Sequence, residues 1–509
     1  MTELETAHKR ITGLEEQLAE AQRQIAMFTR HIFGKRSEQT PPPAVPGQLD
    51  LELEAEDAAI ETETPAPPPK AKGGSRKGRK VRGALWPEGL PVEERVIIPL
   101  PVQQDPDNWR LVDTDTSDRL ERIPGKLIIQ RLVRPVYVCK DQPFAAPEQA
   151  PVPPQIIEGG SLGVQLMADI VLGKYLYHQP LYRQAKALEW ECGVKLSAAT
   201  LCQTIARLAD AVEPVVRCMA GEMWAGSIVQ MDLTPVRCLS REHDGGSFLG
   251  QMWVSAAPGG DVIYNWDKSK EAIVAERIVP GGWKGILQTD GGSELACYLR
   301  GGKARGKPPP DIERAACWAH VRRKFFEAAK AGCRVSAGLL KIINVLYRIE
   351  STASGLSPEE RACIRQKRSV RVIRGLRRRM EAVLRDQRPR SPAGKACLYT
   401  LGQWDGLLTY LAHGEVPIDN NGVENAIRPC ALGKKNYLFI GDVGAGQRSA
   451  TFYSLLGSAL RRGINPREYL HWLFARLPVT HPKDHPSLTP AAYAAASKPS
   501  APAEQKPAA

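Results

Sequence analysis

Ser227-Ile228-Val229-Gln230-Met231-Asp232 is an apolar run that ends on an acid. Its echo comes further on, at Gly285-Ile286-Leu287-Gln288-Thr289-Asp290. Between them, Ser247 to Ala256 and Val262 to Trp266 alternate at period two, the spacing of half-buried strands, and Glu271 to Ile278 reads as a helix. The order strand, strand, strand, helix, strand predicts an α/β core of ribonuclease-H-like type. In such a core the first and fourth strands are parallel neighbours joined through a crossover. Asp232 and Asp290 are then expected side by side, Asp232 within or at the end of its strand and Asp290 at the end of its own.

A third acid stands far downstream, in Asp419-Asn420-Asn421-Gly422-Val423-Glu424-Asn425-Ala426-Ile427-Arg428-Pro429. Alone, this stretch reads as an ordinary helix start, with Asn421 as cap and Glu424 as its partner three residues on. Beside two strand-end aspartates it reads as a metal ligand on a helix, with Arg428, Lys434 and Lys435 behind it. Phosphodiester chemistry needs a strong oxygen nucleophile and charge relief at phosphorus, which two divalent ions about 4 Å apart supply. Mg²⁺ takes carboxylate oxygens, and Mn²⁺ can replace it. Asp232 is expected to bridge both ions, with Asp290 and Glu424 holding one each.

Cys317-Trp318-Ala319-His320-Val321-Arg322-Arg323-Lys324-Phe325-Phe326 reads as a short strand running into a basic helix. Residues 331–415 form an expected Arg-rich helical insertion that splits the core into 225–330 and 416–475. From Arg361 to Arg390 there are twelve Lys or Arg against two acids, Glu381 and Asp386. With a net charge of +13, this asymmetry points to a polyanion, and Arg322, Arg323, Lys324, Arg377, Arg378, Arg379, Arg428, Lys434 and Lys435 are the candidate DNA contacts.

Upstream, Leu4, Ile11, Leu18 and Ile25 with Ala7, Leu14, Ala21 and Phe28 make an a/d seam, so 1–38 is expected as a coiled-coil or dimerisation helix. Residues 39–85 have linker composition. Val96 to Ile98 and Leu127 to Val138 are expected strands of a small β module at 86–146, followed by a Pro-rich stretch from Pro147 to Pro154. Residues 155–222 are expected as a helical domain of helix-turn-helix spacing, with helices near 162–172, 181–190 and 201–212; a plain three-helix bundle would look the same. Residues 480–509 read as a disordered tail.

Two leads point away from other chemistry. Asn436 to Ile440 reads as a strand before Gly441-Asp442-Val443-Gly444-Ala445-Gly446-Gln447-Arg448, but Gln447 stands where a phosphate-binding loop needs Lys. Cys317 and His320 have no partner pair at zinc spacing. None of the eleven cysteines stands in C-x-x-C spacing, so reduced thiols and a cytoplasmic location are expected. There is no secretory signal at Met1 to Glu5 and no apolar run long enough for a bilayer, so no membrane partner is expected.

At these residues the chain resembles transposases of the insertion sequence 66 family, TnpC type. The similar stretches are Phe33 to Glu38, Asp232-Leu233-Thr234-Pro235-Val236, Gln288 to Gly291, Cys317 to Phe325, and Asn420 to Pro429 through Leu432 to Asn436. The resemblance implies a bacterial, nucleoid-associated Asp-Asp-Glu transposase that cuts element ends and joins them to target DNA with two Mg²⁺. Its acids map to Asp232, Asp290 and Glu424. It also implies a homo-oligomer and accessory transposition proteins. The family usually carries a cysteine zinc finger in the region of the β module; only Cys139 stands here, so zinc is not expected. It commonly has Glu after the first Asp, where this chain has Leu233. A catalytically inactive DNA-binding protein and a nuclease of the same fold stay open as alternatives.

Overall fold

The computed structural model describes residues 127–134, 136–137, 148–149, 151–240, 246–301 and 309–497. The expected coiled coil, the linker and most of the β module lie outside them. Within 127–138, Leu127 to Val133 form no strand, and Ile128 and Ile129 are exposed. Only β1 (Val136–Tyr137) pairs, antiparallel with β2 (Glu148–Gln149).

Three helices follow: α1 (Val164–Tyr175), α2 (Leu181–Cys192) and α3 (Ala198–Trp224). Ser197 caps α3 by accepting the Thr200 N–H at 3.0 Å. Expected to end near 212, α3 runs on through Pro214 because Val212, Val215, Val216, Met219 and Met223 keep one face buried. These helices share a single hydrophobic core with the sheet.

That sheet has five strands: β3 (Ile228–Leu239), β4 (Ser247–Ala256), β5 (Val262–Asp267), β6 (Ile286–Thr289) and β7 (Glu313–Ala316). Their spatial order is β5-β4-β3-β6-β7. The first three form an antiparallel meander, and α4 (Ala272–Ile278) leads across to β6, which lies parallel to β3 in the register Gln230↔Gln288. β7 extends the parallel half. The expected neighbourhood of the first and fourth strands is present. β3 is longer than its apolar run, continuing seven residues past Asp232 because β4 pairs with it throughout.

After α5 (Ser293–Leu299) and β7, α6 (Trp318–Lys330) opens the second half. The 331–415 segment is helical, with α7 (Arg334–Thr352), α8 (Pro358–Ile364), α9 (Val370–Asp386), α10 (Pro392–Gly402) and α11 (Trp404–Ala412). A π-turn at Arg365–Ser369 joins α8 to α9. These helices close a second core over Ala315, Ala316, Trp318 and Phe325. At its centre Arg365, 1 % exposed, bonds both Glu350 oxygens and the Tyr410 and His413 carbonyls.

The last core elements are α12 (Asn421–Tyr437), α13 (Val443–Arg461) and α14 (Pro466–Arg476). Asn436 to Ile440, expected as a strand, is the end of α12 and its exit. Only Ile440 makes a bridge, to Cys238, after Leu438 turns the chain at φ 63°. α13 covers the edge of the sheet: Ser458 and Ser454 accept the Val262 and Tyr264 N–H groups at 3.0 and 2.9 Å. The expected disordered tail is folded as far as Ser497. There α15 (Pro490–Ser497) brings Tyr493 against Tyr469 and Trp472, and Tyr469 donates to the Leu488 carbonyl at 2.8 Å. Leu488 and the aromatic rings supply apolar area that the Ala/Pro composition concealed. Residues 498–509 lie outside the described residues.

Candidate active site

The parallel pairing of β3 with β6 ends at Gln230 and Gln288. Two residues beyond each glutamine come Asp232, inside the longer β3, and Asp290, just past the end of β6, where the two strands part. This is where open α/β sheets bind ligands. Asp232 Oδ1 accepts the Leu233 N–H at 2.7 Å, and Asp290 Oδ1 accepts the Gly292 N–H at 2.8 Å. The turn after Asp290 needs glycine, because Gly291 sits at φ +88° against the Gln403 side chain. Tyr399 from α10 donates to the Asp290 carbonyl at 3.0 Å, so the insertion also braces this acid.

Glu424 arrives in the first turn of α12. The cap position is Asn420 rather than Asn421, and its side chain makes no cap bond. Asn420 is fully buried and turned inward, and Asp419 accepts the Asn421 N–H in its place at 3.2 Å. Two glutamines place this helix start. Gln230 Nε2 donates to Gln288 Oε1 at 2.8 Å and to the Asp419 carbonyl at 3.0 Å, and Gln288 Nε2 donates to the Pro417 carbonyl at 2.7 Å. Gly422 lies so close that a Cβ there would meet Gln230 Oε1 at 2.4 Å. Sequence reading passed over both glutamines. The available signal was a polar residue inside an apolar run, two places before each aspartate.

Asp232 feels both other carboxylates. Burial first, then the charge of Asp290, pushes the Asp232 carboxyl up to about 7; the Leu233 N–H pulls it down, and Glu424 adds to the rise. Such mutual repulsion marks a site short of positive charge. Glu424 faces His320, with Oε1 3.5 Å from His320 Nδ1, and Arg323 Nη2 lies 3.8 Å from Oε2. Among the described residues, the group of three donors within 4.8 Å of one another is Cys317, His320 and Glu424. Asp232, Asp290 and Glu424 do not close to that distance.

The candidate DNA-binding residues divide. Arg428 and Lys435 on α12, Lys324 on α6, and Arg377, Arg378 and Arg379 on α9 are exposed. Arg377 pairs with Glu381 and lies over the Trp404 ring, and Lys324 lies over Tyr399. Lys434 is committed inward, donating to Thr234 Oγ1 and the Pro235 carbonyl, and Arg322 bonds Asn344 on α7. The 441–448 stretch is no phosphate loop: it is the start of α13, capped by Asp442, which also pairs with Arg448.

A mixed five-stranded sheet flanked by helices, with Asp232 and Asp290 where its parallel pairing ends and Glu424 on the adjoining helix, defines an α/β protein with an acidic cluster beside the sheet. The family model described as "Transposase IS66 family" matches residues 159–448, which include all three acids. A second, described as "Transposase C of IS166 homeodomain", matches residues 14–95. The chain belongs to the IS66 transposase family. It is similar to three proteins of Sinorhizobium fredii (strain NBRC 101917 / NGR234), all named as uncharacterized. Protein y4jD is 32% identical over 372 residues, 71% of each chain. Protein y4qI is 30% identical over 378 residues, 72% of this chain and 69% of its own. Protein y4hP is 28% identical over 494 residues, 91% of this chain and 85% of its own. No helix among the described residues is long and apolar enough to cross a membrane.

Proposed function

We propose that the chain is a transposase that cuts element ends and joins them to target DNA by two-metal phosphodiester chemistry, with Asp232, Asp290 and Glu424 as its acids. The observation that carries this is the place of Asp232 and Asp290, both just beyond the end of the parallel β3–β6 pairing, with burial first and then the charges of Asp290 and Glu424 raising the Asp232 carboxyl to about 7. The strand order β5-β4-β3-β6-β7, antiparallel then parallel, supports a ribonuclease-H-like core.

The residues fit divalent ions. A carboxyl raised first by burial and then by two neighbouring acids is relieved by a cation, and Glu424 Oε1 is buried without a hydrogen-bond partner. Hard ions take carboxylate oxygens, which favours Mg²⁺, with Mn²⁺ as a substitute. When bound, such ions activate the attacking oxygen and offset charge at the phosphorus. The chain itself orients the acids. The Leu233 and Gly292 N–H groups fix the two aspartates, and Gln230 and Gln288 set the height of α12 against the sheet. Leu233 contributes this backbone N–H whatever its side chain. Arg428, Lys435, Lys324 and the Arg377 to Arg379 run are the proposed phosphate contacts, acting as sequence-independent charge. A homo-oligomer holding two ends, and accessory transposition proteins, complete the reading.

The test is a joining assay with the purified chain, labelled element-end DNA and a target plasmid. Transposase activity predicts Mg²⁺-dependent joined product that chelator abolishes. Cut ends without joining would indicate a nuclease, and bound but intact DNA an inactive DNA-binding protein.

A further inference from the structure

We propose that Cys317, His320 and Glu424 form a binding site for one borderline-soft transition-metal ion, of which Zn²⁺ is the type; it shares Glu424 with the proposed carboxylate site for hard ions and differs from it by a thiol and an imidazole. Three donors of different kinds, a sulfur, an imidazole nitrogen and a carboxylate oxygen, come within 4.8 Å of one another. Hard ions such as Mg²⁺ do not choose thiolate and imidazole, whereas zinc does.

The fold assembles this set from two helix starts. Cys317 caps α6 and His320 lies three residues on, which puts both on one face of its first turn. Glu424 comes from the first turn of α12. The two starts are tied by Asn420 N–H to Cys317 Sγ at 3.2 Å and by Trp318 N–H to the Ile418 carbonyl at 3.2 Å. Cys317 is 2 % exposed, and burial pushes its thiol up to about 12 although the Asn420 N–H at its sulfur opposes the rise, so a metal binding there displaces the thiol proton.

The facing atoms argue for an occupant. His320 Nδ1 and Glu424 Oε1 are both buried and neither makes a hydrogen bond, although they stand 3.5 Å apart. Native proteins rarely leave two such atoms unmet. Zinc bonds of about 2.0–2.3 Å at a tetrahedral angle separate neighbouring donors by about 3.3–3.6 Å, which matches this spacing. Three protein donors leave a fourth position for water. Arg323, 3.8 Å from Oε2, faces the other oxygen of the same carboxylate. Sequence spacing concealed the site because its third donor lies far along the chain.

Cobalt is the probe, since Co²⁺ replaces zinc and reports thiolate ligation by a near-ultraviolet charge-transfer band and tetrahedral geometry by intense visible bands. Titration of the metal-stripped full chain with Co²⁺ is expected to give one equivalent with both signatures. Cys317→Ser is expected to abolish the charge-transfer band, and His320→Ala to weaken Co²⁺ binding by more than the roughly 10–100-fold typical of outer partners. Cys430→Ser, which removes a different buried thiol, and Asp232→Asn are expected to keep both signatures. Asp232→Asn also separates this proposal from the transposase reading, since it removes an acid of the latter alone. X-ray absorption at the zinc edge of the wild type, which needs no variant to fold, is expected to show one sulfur per zinc. A wild type without the bands, an unchanged charge-transfer band in Cys317→Ser, or a zinc shell without sulfur would overturn the proposal.

Discussion

Gln230 and Gln288 join the two aspartate strands and the glutamate helix in a single hydrogen-bonded unit. Gln230 donates to Gln288 at 2.8 Å, and each glutamine donates onward to the chain leading into α12. Both are at most 1 % exposed, so no water can replace a lost partner. Gln288→Leu would leave the Pro417 carbonyl and a Gln230 N–H unmet, costing about 1–3 kcal/mol. Urea melts would read that loss. The joining rate should fall further than stability accounts for, because Glu424 loses its reference to the aspartates. A double-mutant cycle with Gln230→Leu should show non-additive stabilities.

Gly422 tests the same junction from the helix side. Its Cβ position lies 2.4 Å from Gln230 Oε1, so Gly422→Ala displaces either the Gln230 amide from its bonds or α12 from β3. Overpacking of this kind costs about 1–3 kcal/mol. Thermal melts should show the drop, and a smaller side chain at 230, in Gln230→Ala with Gly422→Ala, should recover part of it.

The carboxylate cluster predicts a pH dependence with a definite sign. The folded pKa of Asp232, about 7, lies above its ordinary 3.8, so folding favours the protonated form. The contribution is fully present below about pH 4 and is lost as pH rises through 7, on the order of 4 kcal/mol for this shift. In chelator, Asp232→Asn should therefore be more stable than wild type at pH 8, with the gap closing toward pH 5. Added Mg²⁺ should raise the wild-type melting temperature at pH 8 and narrow the difference from the variant.

Arg365 holds the insertion together. Its guanidinium is 1 % exposed and serves Glu350 and two carbonyls from around α11. Arg365→Ala would strand a half-buried carboxylate and those carbonyls, a loss of about 3–5 kcal/mol. Hydrogen exchange should show it first in residues 334–412, and Arg365→Lys should not restore it, because an ammonium cannot reproduce the fork.

The sheet was legible because its signals are local. Period-two alternation marked β4 and β5, and acid-terminated apolar runs marked β3 and β6. Other features depended on partners distant in sequence. α3 passes Pro214 because its buried face continues, α15 folds because Tyr493 finds Tyr469 and Trp472, and Asn436–Tyr437 stay helical although their composition suits a strand. The same holds at the site. The strand and helix positions of Asp232, Asp290 and Glu424 could be read from their contexts, but the glutamine tie and the meeting of Cys317, His320 and Glu424 exist only once α12 docks beside α6.

The most direct test of the central claim is strand transfer by three single variants, Asp232→Asn, Asp290→Asn and Glu424→Gln, each first shown to bind end DNA as tightly as wild type. The account predicts that each abolishes Mg²⁺-dependent joining while leaving binding and its salt dependence unchanged. Full strand transfer by any one of the three would contradict it.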